Sequence, residues 1–353
     1  IMTGQGTDGG FDYGWSDFSS LVEVDGRVWI TTGRNTVVGF DSIPATAGQR
    51  PDFVIGGETL LANTMVENHI LSNPVPASNG TNLFVTSDFD KKLLVWRSIP
   101  DESGAAPDLV YHLCGYRNDD ARDRNMCQGQ LGPWDNALHG DRFAIAGKTR
   151  VMVWEALPLE GNMPDRDYRD GIGSVVFRDL MGVALDHRFF YLADKEQGLV
   201  WVWEGLPEAD DEPVATLRVD KPTRLHSDGT HLLVNSTLNS RVTVFRVDDL
   251  ADGVPRGTIA GSFNLPQGAH LHGEGLYVAD TGQNQVEIWD DLDDALAGQV
   301  ADVVLGASAA SSYQPELKDD MFFWPGAVAF DGTHLWVGEF KFSGRLLRLS
   351  PGR

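Results

Sequence analysis

The chain has 353 residues, 42% of them hydrophobic and 10% aromatic, which is enough to build a packed interior, while no apolar run approaches the length of a membrane span. Its 51 acidic and 28 basic residues give a formal net charge of −23, and a field of that sign repels phosphate backbones. We therefore expect a globular protein that neither crosses a membrane nor binds nucleic acid.

Similar hairpins recur along the whole chain. In each, a short strand of mostly small or β-branched residues precedes two longer strands, and the last strand ends in a large apolar residue. The hairpin units span residues 21–40, 75–96, 136–154, 182–203, 223–245, 268–289 and 326–349. Seven such units predict an all-β fold, a seven-bladed β-propeller of four-stranded antiparallel blades that forms one domain over residues 1–353.

Fourth strands complete the predicted blades. They follow six of the hairpins, at residues 52–55, 109–112, 174–177, 214–219, 258–260 and 302–305. The last hairpin is followed only by the final residues of the chain, so we expect Ile1–Thr3 to supply its outer strand and close the ring. Closure of this kind removes an exposed strand edge.

Two segments carry a resemblance to a known family. PQGAHLHGEGLYVADTGQNQVEIWDDL at 266–292 and WPGAVAFDGTHLWVGEF at 324–340 resemble NHL repeats of bacterial proteins, as do ADVVLG at 301–306 and the WEALP-type endings of the third strands. The resemblance covers nearly the whole chain and implies a β-propeller with ligands or partners at one face. It does not imply a single activity, since one fold supports many functions.

The cysteines and the chain start bear on the cellular location. Cys114 and Cys127 lie in one segment rich in Gly, Asp and Arg, and a local disulfide is the simplest interpretation, with free thiols or a metal site as alternatives. The sequence starts at Ile1 rather than at an initiator Met, which suggests a trimmed start. We therefore expect an extracytoplasmic protein, secreted or periplasmic.

Long loops precede four of the innermost strands and should stand together on one face of the ring. They span residues 4–19, 57–74, 113–135 and 306–325. Aromatic residues lie in them or at their base, namely Trp15, Trp134, Phe322 and Trp324. These side chains either pack the loops onto the blades or form an apolar stacking surface for a ligand.

Two charged or polar residues interrupt the apolar innermost strands. Arg224 and His270 are predicted to point into the central channel beside Asn136. A guanidinium there suits a carboxylate or phosphate ligand, since its planar fork matches both. The alternative is an internal ion pair of Arg224 with Asp194 or Asp280.

Acidic residues end several second strands. Asp194, Asp280 and Glu339 hold equivalent positions, with Ser236 in the remaining blade of that series. Carboxylates at one radius could share Ca²⁺, which prefers oxygen ligands. The alternative is that each caps its own turn.

Three histidines look at first like a zinc set. His139, His226 and His272 are assigned to equivalent positions at the other ends of the innermost strands, where Asp186 and Asp331 stand in other blades. Turn capping is the alternative interpretation.

Two functions compete at this point. The first is a monomeric binding scaffold that recognises a protein, peptide or glycan through the face with the long loops, and it agrees with the absence of GxSxG, HExxH, P-loop and GxGxxG signatures in suitable context. The second is a metal-dependent lyase or hydrolase at the channel mouth, because some related propellers hold a cation there. Its chemistry would rest on Arg224, His270, Asp194 and Asp280.

The predicted closure leads to a simple test. Deletion of Ile1–Thr3 should lower the melting temperature, because the outer edge of the last sheet would lose its partner strand. Thermal unfolding followed by circular dichroism measures the change, and an unchanged melting temperature would refute closure by these residues.

Overall fold

The computed structural model describes residues 21–31, 37–46, 49–55, 73–88, 91–113, 132–261, 263–340 and 343–350. The chain divides into two compact units, one of residues 1–69 with 116–123 and the other of residues 70–115 with 124–353. Among the described residues, no helix is both long and apolar enough to cross a membrane.

The first unit contains one antiparallel sheet in the order β1-β2-β3-β4. Its strands are β1 (Leu21–Val24), β2 (Arg27–Thr31), β3 (Val37–Phe40) and β4 (Phe53–Ile55). One face buries Val28, Ile30, Val38 and Phe40. On the other, the ring of Phe53 lies where a side chain at Gly39 would be, because an added Cβ would sit 2.2 Å from that ring.

Among its described residues, the second unit contains six antiparallel sheets of three or four strands arranged around a channel, besides one two-stranded sheet. In each of the six, the strands follow chain order from the innermost to the outermost. The first of these sheets consists of β5 (Val75–Ser78), β6 (Leu83–Ser87), β7 (Lys92–Trp96) and β8 (Leu109–His112), and the second of β9 (Asp135–His139), β10 (Arg142–Gly147), β11 (Arg150–Trp154) and β12 (Arg166–Arg169). A small hairpin follows, formed by β13 (Gly171–Ile172) and β14 (Val175–Val176). The third sheet consists of β15 (Leu180–Leu185), β16 (Phe189–Asp194), β17 (Leu199–Glu204) and β18 (Ala215–Arg218). The fourth sheet consists of β19 (Leu225–Ser227), β20 (His231–Ser236), β21 (Arg241–Arg246) and β22 (Gly257–Ala260). The fifth consists of β23 (Pro266–His272), β24 (Gly275–Asp280), β25 (Gln285–Trp289) and β26 (Val303–Gly306). The sixth has three strands, β27 (Pro325–Phe330), β28 (Leu335–Glu339) and β29 (Leu346–Leu349).

Helices are few and short in the described parts of the chain. The α-helix α1 spans Leu292–Leu296, and its N-cap residue Asp291 accepts a hydrogen bond from the backbone N–H of Asp293. Short 3₁₀ helices span Thr237–Asn239, Val247–Asp252 and Ala309–Ser311. The prediction of an all-β protein built from four-stranded antiparallel sheets is therefore confirmed.

The recurring tryptophan at the end of the third strand holds the loop that follows it. The indole N–H donates to a backbone carbonyl of that loop in four sheets, from Trp96 to Ala105, Trp154 to Asn162, Trp203 to Asp211 and Trp289 to Gln299. A buried indole N–H needs an acceptor. The recurring tryptophan therefore anchors the loop after the third strand as well as making apolar contacts.

The sheets are buried on both faces, because successive side chains of a strand point to opposite neighbours. In β16, Phe190 and Leu192 pack toward the sheet of β9–β12, whereas Phe189 and Tyr191 pack toward the sheet of β19–β22. This two-sided burial explains why the second and third strands are almost continuously apolar.

The six innermost strands of the second unit form a closed circuit, because each packs against the next and β27 packs against β5. Leu83 and Val85 share an apolar cluster with Trp336. A Cβ at Gly338 would lie 1.9 Å from the carbonyl oxygen of Pro74, so the last and first sheets of this circuit are in direct backbone contact. Among the described residues, no sheet lies between them.

The count of seven blades in one ring is therefore not confirmed, since the circuit in the second unit has six sheets and the sheet of β1–β4 belongs to the other unit. The proposed closing strand, Ile1–Thr3, lies outside the described residues.

One predicted fourth strand was wrong. Residues 174–177 were expected to form the outer strand after β11, but that strand is β12, and Val175–Val176 belongs to the small hairpin. The polar sequence of β12 concealed it. Tyr168 alone is buried, with its hydroxyl donating to the carbonyl of Pro207, while Arg150 and Asp167 pair across the strands.

A side-chain hydrogen bond also joins the last and first sheets of the circuit. Asp331 Oδ2 accepts from the hydroxyl of Ser78 at 2.9 Å and from the indole of Trp336 at 2.9 Å. Ser227 makes the corresponding bond to Asp186 at 2.7 Å between two other sheets. A Ser–Asp bond between neighbouring sheets therefore occurs at two places in the circuit.

We predict that Ser78→Ala lowers the free energy of unfolding by about 1 kcal/mol, because one hydrogen bond to a charged acceptor is lost. Urea denaturation of the two proteins measures the difference. Ser236→Ala is the matched control, since the buried hydroxyl of Ser236 makes no hydrogen bond among the described residues and its removal should cost nothing. Equal stability of wild type and Ser78→Ala would contradict the prediction.

Candidate functional site

The central channel is narrow and lined by all six innermost strands of the second unit. It encloses a cavity of about 90 Å³. The strand registers place Ala77, Ala137, Ala184 and Ala329 at one level of the channel, with His226 and His270 at the two remaining positions. Small side chains are needed at this level because six strands converge there.

A buried carboxylate ties three sheets together near one end of the channel. Asp135 Oδ2 accepts from the backbone N–H of Val183 at 3.1 Å and of Leu225 at 3.2 Å, so the first residue of β9 is bonded to the next two innermost strands. Burial raises the pKa of Asp135 to about 7, against the opposing effects of Arg224 and the backbone donors.

Arg224 lies beside this carboxylate. Its Nη1 is 3.4 Å from Asp135 Oδ1, and its guanidinium carbon lies 5.6 Å from the ring centre of Trp134. Burial lowers the pKa of Arg224, and the charges of Asp135 and Asp88 oppose that shift. The prediction that Arg224 faces the channel agrees with its place in the cavity lining, but its ion-pair partner is Asp135 and not Asp194 or Asp280.

The two channel histidines contact each other. The ring centres of His226 and His270 are 4.0 Å apart. His226 Nε2 lies 3.0 Å from the carbonyl oxygen of Leu271, and His270 Nε2 lies 3.0 Å from that of Phe330. Each histidine therefore reaches a carbonyl of the next sheet, and the geometry fits a neutral ring that donates from Nε2.

Burial lowers the pKa of both rings, that of His226 to about 4 and that of His270 well below its usual value. The sequence analysis grouped His226 with His139 and His272, but the register makes it equivalent to His270, since His226 pairs with Leu233 and His270 with Tyr277. The inner strands were misaligned by two residues because the short apolar stretches offer no fixed point for alignment.

Asn136 lies next to Asp135 and joins two sheets. Its Nδ2 donates to the carbonyl of Val75 at 2.8 Å and to the hydroxyl of Thr86 at 3.0 Å. Its Oδ1 is buried and accepts no hydrogen bond among the described residues. The predicted position of Asn136 beside Arg224 and His270 agrees with the lining of the cavity.

The acidic residues at the ends of the second strands bind their own loops. Asp194 accepts from the backbone of Arg178, Asp179 and Gln197. Asp280 Oδ2 accepts from the backbone of Asn264. Glu339 accepts two hydrogen bonds from Arg345 and one from the backbone of Phe323.

The structure thus places these three carboxylates in separate sheets, each holding the loop that leads into its own blade. In the described part of the chain, no group of three or more His, Cys, Asp or Glu side chains is arranged to hold a metal ion. This geometry matches the turn-capping interpretation, and calcium binding by Asp194, Asp280 and Glu339 stays a prediction.

An aromatic rim, defined as Trp134, Phe323, Trp324 and Phe340, lies at the end of the channel marked by Asp135 and Arg224. The rings of Trp134 and Phe340 are 5.8 Å apart and those of Phe323 and Trp324 are 5.5 Å apart. The backbone N–H of Phe340 donates to the carbonyl of Trp324 at 2.6 Å, which joins the two pairs. All four side chains are partly exposed.

Phe322 does not belong to this surface. It is 1% exposed and packs in the core between β24 and β28, so it cannot offer a ligand surface. Its neighbour Phe323 takes the exposed position instead. Trp15, Cys114 and Cys127 lie outside the described residues.

Several buried polar atoms at or near this end of the channel have no hydrogen-bond partner among the described residues. They are Trp134 Nε1, Asn136 Oδ1, Arg224 Nε, both side-chain polar atoms of Asn235, and Gln267 Oε1. Buried polar groups are rarely left unpaired in folded proteins, and where they are, an unseen water or ligand is a common reason. Four residues near this end of the channel were not predicted from the sequence, namely Asp135, Gln267, Phe323 and Phe340. Only Asp135 carries a signal in the sequence, because it is a charge at the start of an apolar strand.

Comparison with solved structures supports a β-propeller. The structure of U3-55K aligns with a TM-score of 0.50 and 16% identity over 80% of this chain and 82% of that one. The crystal structure of the RRP9 WD40 repeats aligns with a TM-score of 0.50 and 16% identity over 80% of this chain and 81% of that one. No protein-family model and no curated protein matches the sequence, so the resemblance to NHL repeats is not confirmed.

We predict that Asp135→Ala lowers the free energy of unfolding by about 3–5 kcal/mol at pH 8, because it leaves Arg224 buried without its counter-charge and two backbone N–H groups without an acceptor. Asp135→Asn should cost less, since its amide oxygen still accepts. Chemical denaturation measures both values. A loss no larger than that of Asp141→Ala, an exposed control, would show that Asp135 does not hold the sheets together.

The lowered pKa of His226 predicts that the free energy of unfolding depends on pH. Because the folded pKa of His226 is about 4 and the unfolded value is near 6.5, the stability from its neutral form is complete above pH 6.5 and is lost as the pH falls toward 4. His226→Gln should reduce this acid-induced loss by roughly 2 kcal/mol, allowing for water in the channel.

The measurement is the free energy of unfolding of wild type and variant at several values between pH 4 and 7. Asp135, whose pKa is raised to about 7, affects stability over the same pH range in the opposite direction. The contribution of His226 is therefore obtained from the difference in the free energy of unfolding between wild type and variant. His187→Gln, at an exposed position, serves as the control. Parallel curves for wild type and His226→Gln would contradict the assignment of a neutral, buried ring.

Proposed function

We propose that this protein is an interaction scaffold that binds a protein, peptide or glycan through the aromatic rim and the loops beside it. The observation that carries the proposal is the partly exposed aromatic rim next to Arg224 and to polar atoms without partners. Aromatic and arginine side chains supply most of the binding energy in many interfaces. A partner would cover the partly exposed rings.

The size of the channel favours a ligand on the rim rather than inside it. Pockets for small molecules usually measure about 300–1,000 Å³, whereas this cavity measures about 90 Å³. That is room for a few water molecules only. Water in the channel and a partner across its mouth fit these dimensions.

The alternative of a lyase or hydrolase has less support from the geometry. Asp194 holds a loop through backbone hydrogen bonds, Arg224 is paired with Asp135, and His270 is bonded to a backbone carbonyl. General acid–base chemistry needs groups that converge on one reacting atom. These side chains instead serve separate contacts within the protein.

Other expectations stay predictions. They are a seventh blade in the ring, closure by Ile1–Thr3, calcium binding, a monomeric state and an extracytoplasmic location. The two solved structures described above are each 16% identical to this chain and support its fold alone.

The scaffold proposal predicts that ligands will depend on the rim. The immobilised protein is panned against a phage-displayed random peptide library and probed on a glycan array. Trp134→Ala and Trp324→Ala should each weaken the selected ligands by at least about tenfold, the loss expected for a central aromatic contact. Surface plasmon resonance with the synthetic ligands gives the affinities.

Arg188→Ala is the control, because Arg188 is half-exposed in the turn after β15, at the opposite end of the innermost strands. It should leave the affinities unchanged. Ligands that bind equally well to both rim variants would place the binding surface elsewhere and contradict the proposal.

A further inference from the structure

A second pocket lies between two neighbouring sheets, away from the channel. It measures about 420 Å³ and is lined by Ile259 and Ala260 of β22, by Glu287 and Trp289 of β25, and by the segment 298–301 after α1. Its volume falls in the range of small-molecule pockets. Its lining combines apolar residues with four polar side chains, those of Gln283, Gln285, Glu287 and Gln299.

Glu287 is the unusual residue in this lining. It is 6% exposed, and its carboxylate has no hydrogen-bond or ion-pair partner among the described residues. In the antiparallel register Glu287 pairs with Val278 and Gln285 pairs with Asp280, so Glu287, Gln285 and Asp280 lie on one face of the sheet. Burial raises the pKa of Glu287 to about 7, and the charge of Asp280 raises it further in the same direction.

Each nitrogen-bearing side chain of the lining donates a hydrogen bond within the protein, and Gln283 Nε2 donates to Asp280 Oδ2 at 2.5 Å. Gln285 Nε2 donates to the carbonyl of Ala307 at 2.5 Å, and Gln299 Nε2 donates to Asp294 Oδ1 at 2.5 Å. The indole of Trp289 donates to the carbonyl of Gln299. The pocket therefore offers a carboxylate acceptor and directs its donors elsewhere.

A buried carboxylate without a partner is costly, and a ligand that brings donors and a positive charge removes the cost. The apolar part of the lining, with Ile259, Trp289 and Val304, fits an organic stem, whereas a bare Ca²⁺ ion needs six to eight oxygen ligands. In the part of the chain that the structure describes, Glu287 belongs to no cluster of three metal-ligating side chains.

We propose that the pocket between β22 and β25 binds a small organic cation, an ammonium or guanidinium group on an apolar stem, with Glu287 as its counter-ion. The net charge of −23 favours the approach of such a ligand. This site is separate from the aromatic rim and does not depend on the scaffold function.

Isothermal titration calorimetry at pH 8 tests the proposal. The probes are n-butylammonium chloride and n-butylguanidinium chloride, with n-butanol as a neutral match and calcium chloride as a metal. At least one of the two cations should bind, and Glu287→Gln should weaken it by at least about tenfold, the loss expected for a charge-assisted hydrogen bond. Butanol should not bind measurably.

Glu196→Gln is the matched control, because it removes the same charge from an exposed position in the turn between β16 and β17. Its effect on affinity should stay within about twofold at physiological salt, where exposed charges are screened. Melting curves confirm that Glu287→Gln is folded, which we expect because the variant buries a neutral amide instead of a carboxylate.

A measurement on the wild type alone avoids any folding problem. Asp280 of β24 is the titratable group that faces Glu287, while Asp294 is held by Gln299. Affinity for the cation should fall several-fold between pH 8 and pH 6, as Glu287 takes up a proton. Absence of binding, equal binding by Glu287→Gln, equal binding of butanol, affinity that does not change with pH, or binding of calcium in place of both cations would overturn the proposal.

Discussion

The architecture of the second unit depends on one constraint, namely that each sheet is apolar on both faces. Side chains of β16 alternate between the sheets on either side, and the same holds for β6, where Leu83 faces one neighbour and Phe84 the other. A row of such sheets would leave an apolar face exposed at each end. Contact between β27 and β5 removes both ends, so the circuit closes.

Polar groups in the channel form hydrogen bonds between neighbouring sheets and so stabilise the closed circuit. Asp135 bonds two neighbouring strands, His226 and His270 reach carbonyls of the next sheets, and Asp331 joins Ser78 across the closure. The channel is consequently almost filled. The aromatic rim at the mouth of the channel remains partly exposed.

The pocket beside Glu287 shows the opposite situation. The channel carboxylate Asp135 has an arginine and two backbone donors, whereas Glu287 has no donor among the described residues although it is buried to a similar degree. Two acidic groups of one protein, in comparable low-dielectric surroundings, thus differ in whether the protein itself supplies the counter-charge. That difference separates a group used for stability from one suited to binding.

The sequence by itself determined the all-β class and the sites of the hairpins, because strand alternation and strand ends are local properties of the chain. It placed Arg224, His270 and Asn136 in the channel for the same reason. Only the tertiary structure decided that β27 meets β5, that Arg224 pairs with Asp135, and that Phe322 is buried while Phe323 is partly exposed. These outcomes depend on which distant surfaces pack together, and a repeated local pattern leaves that choice open.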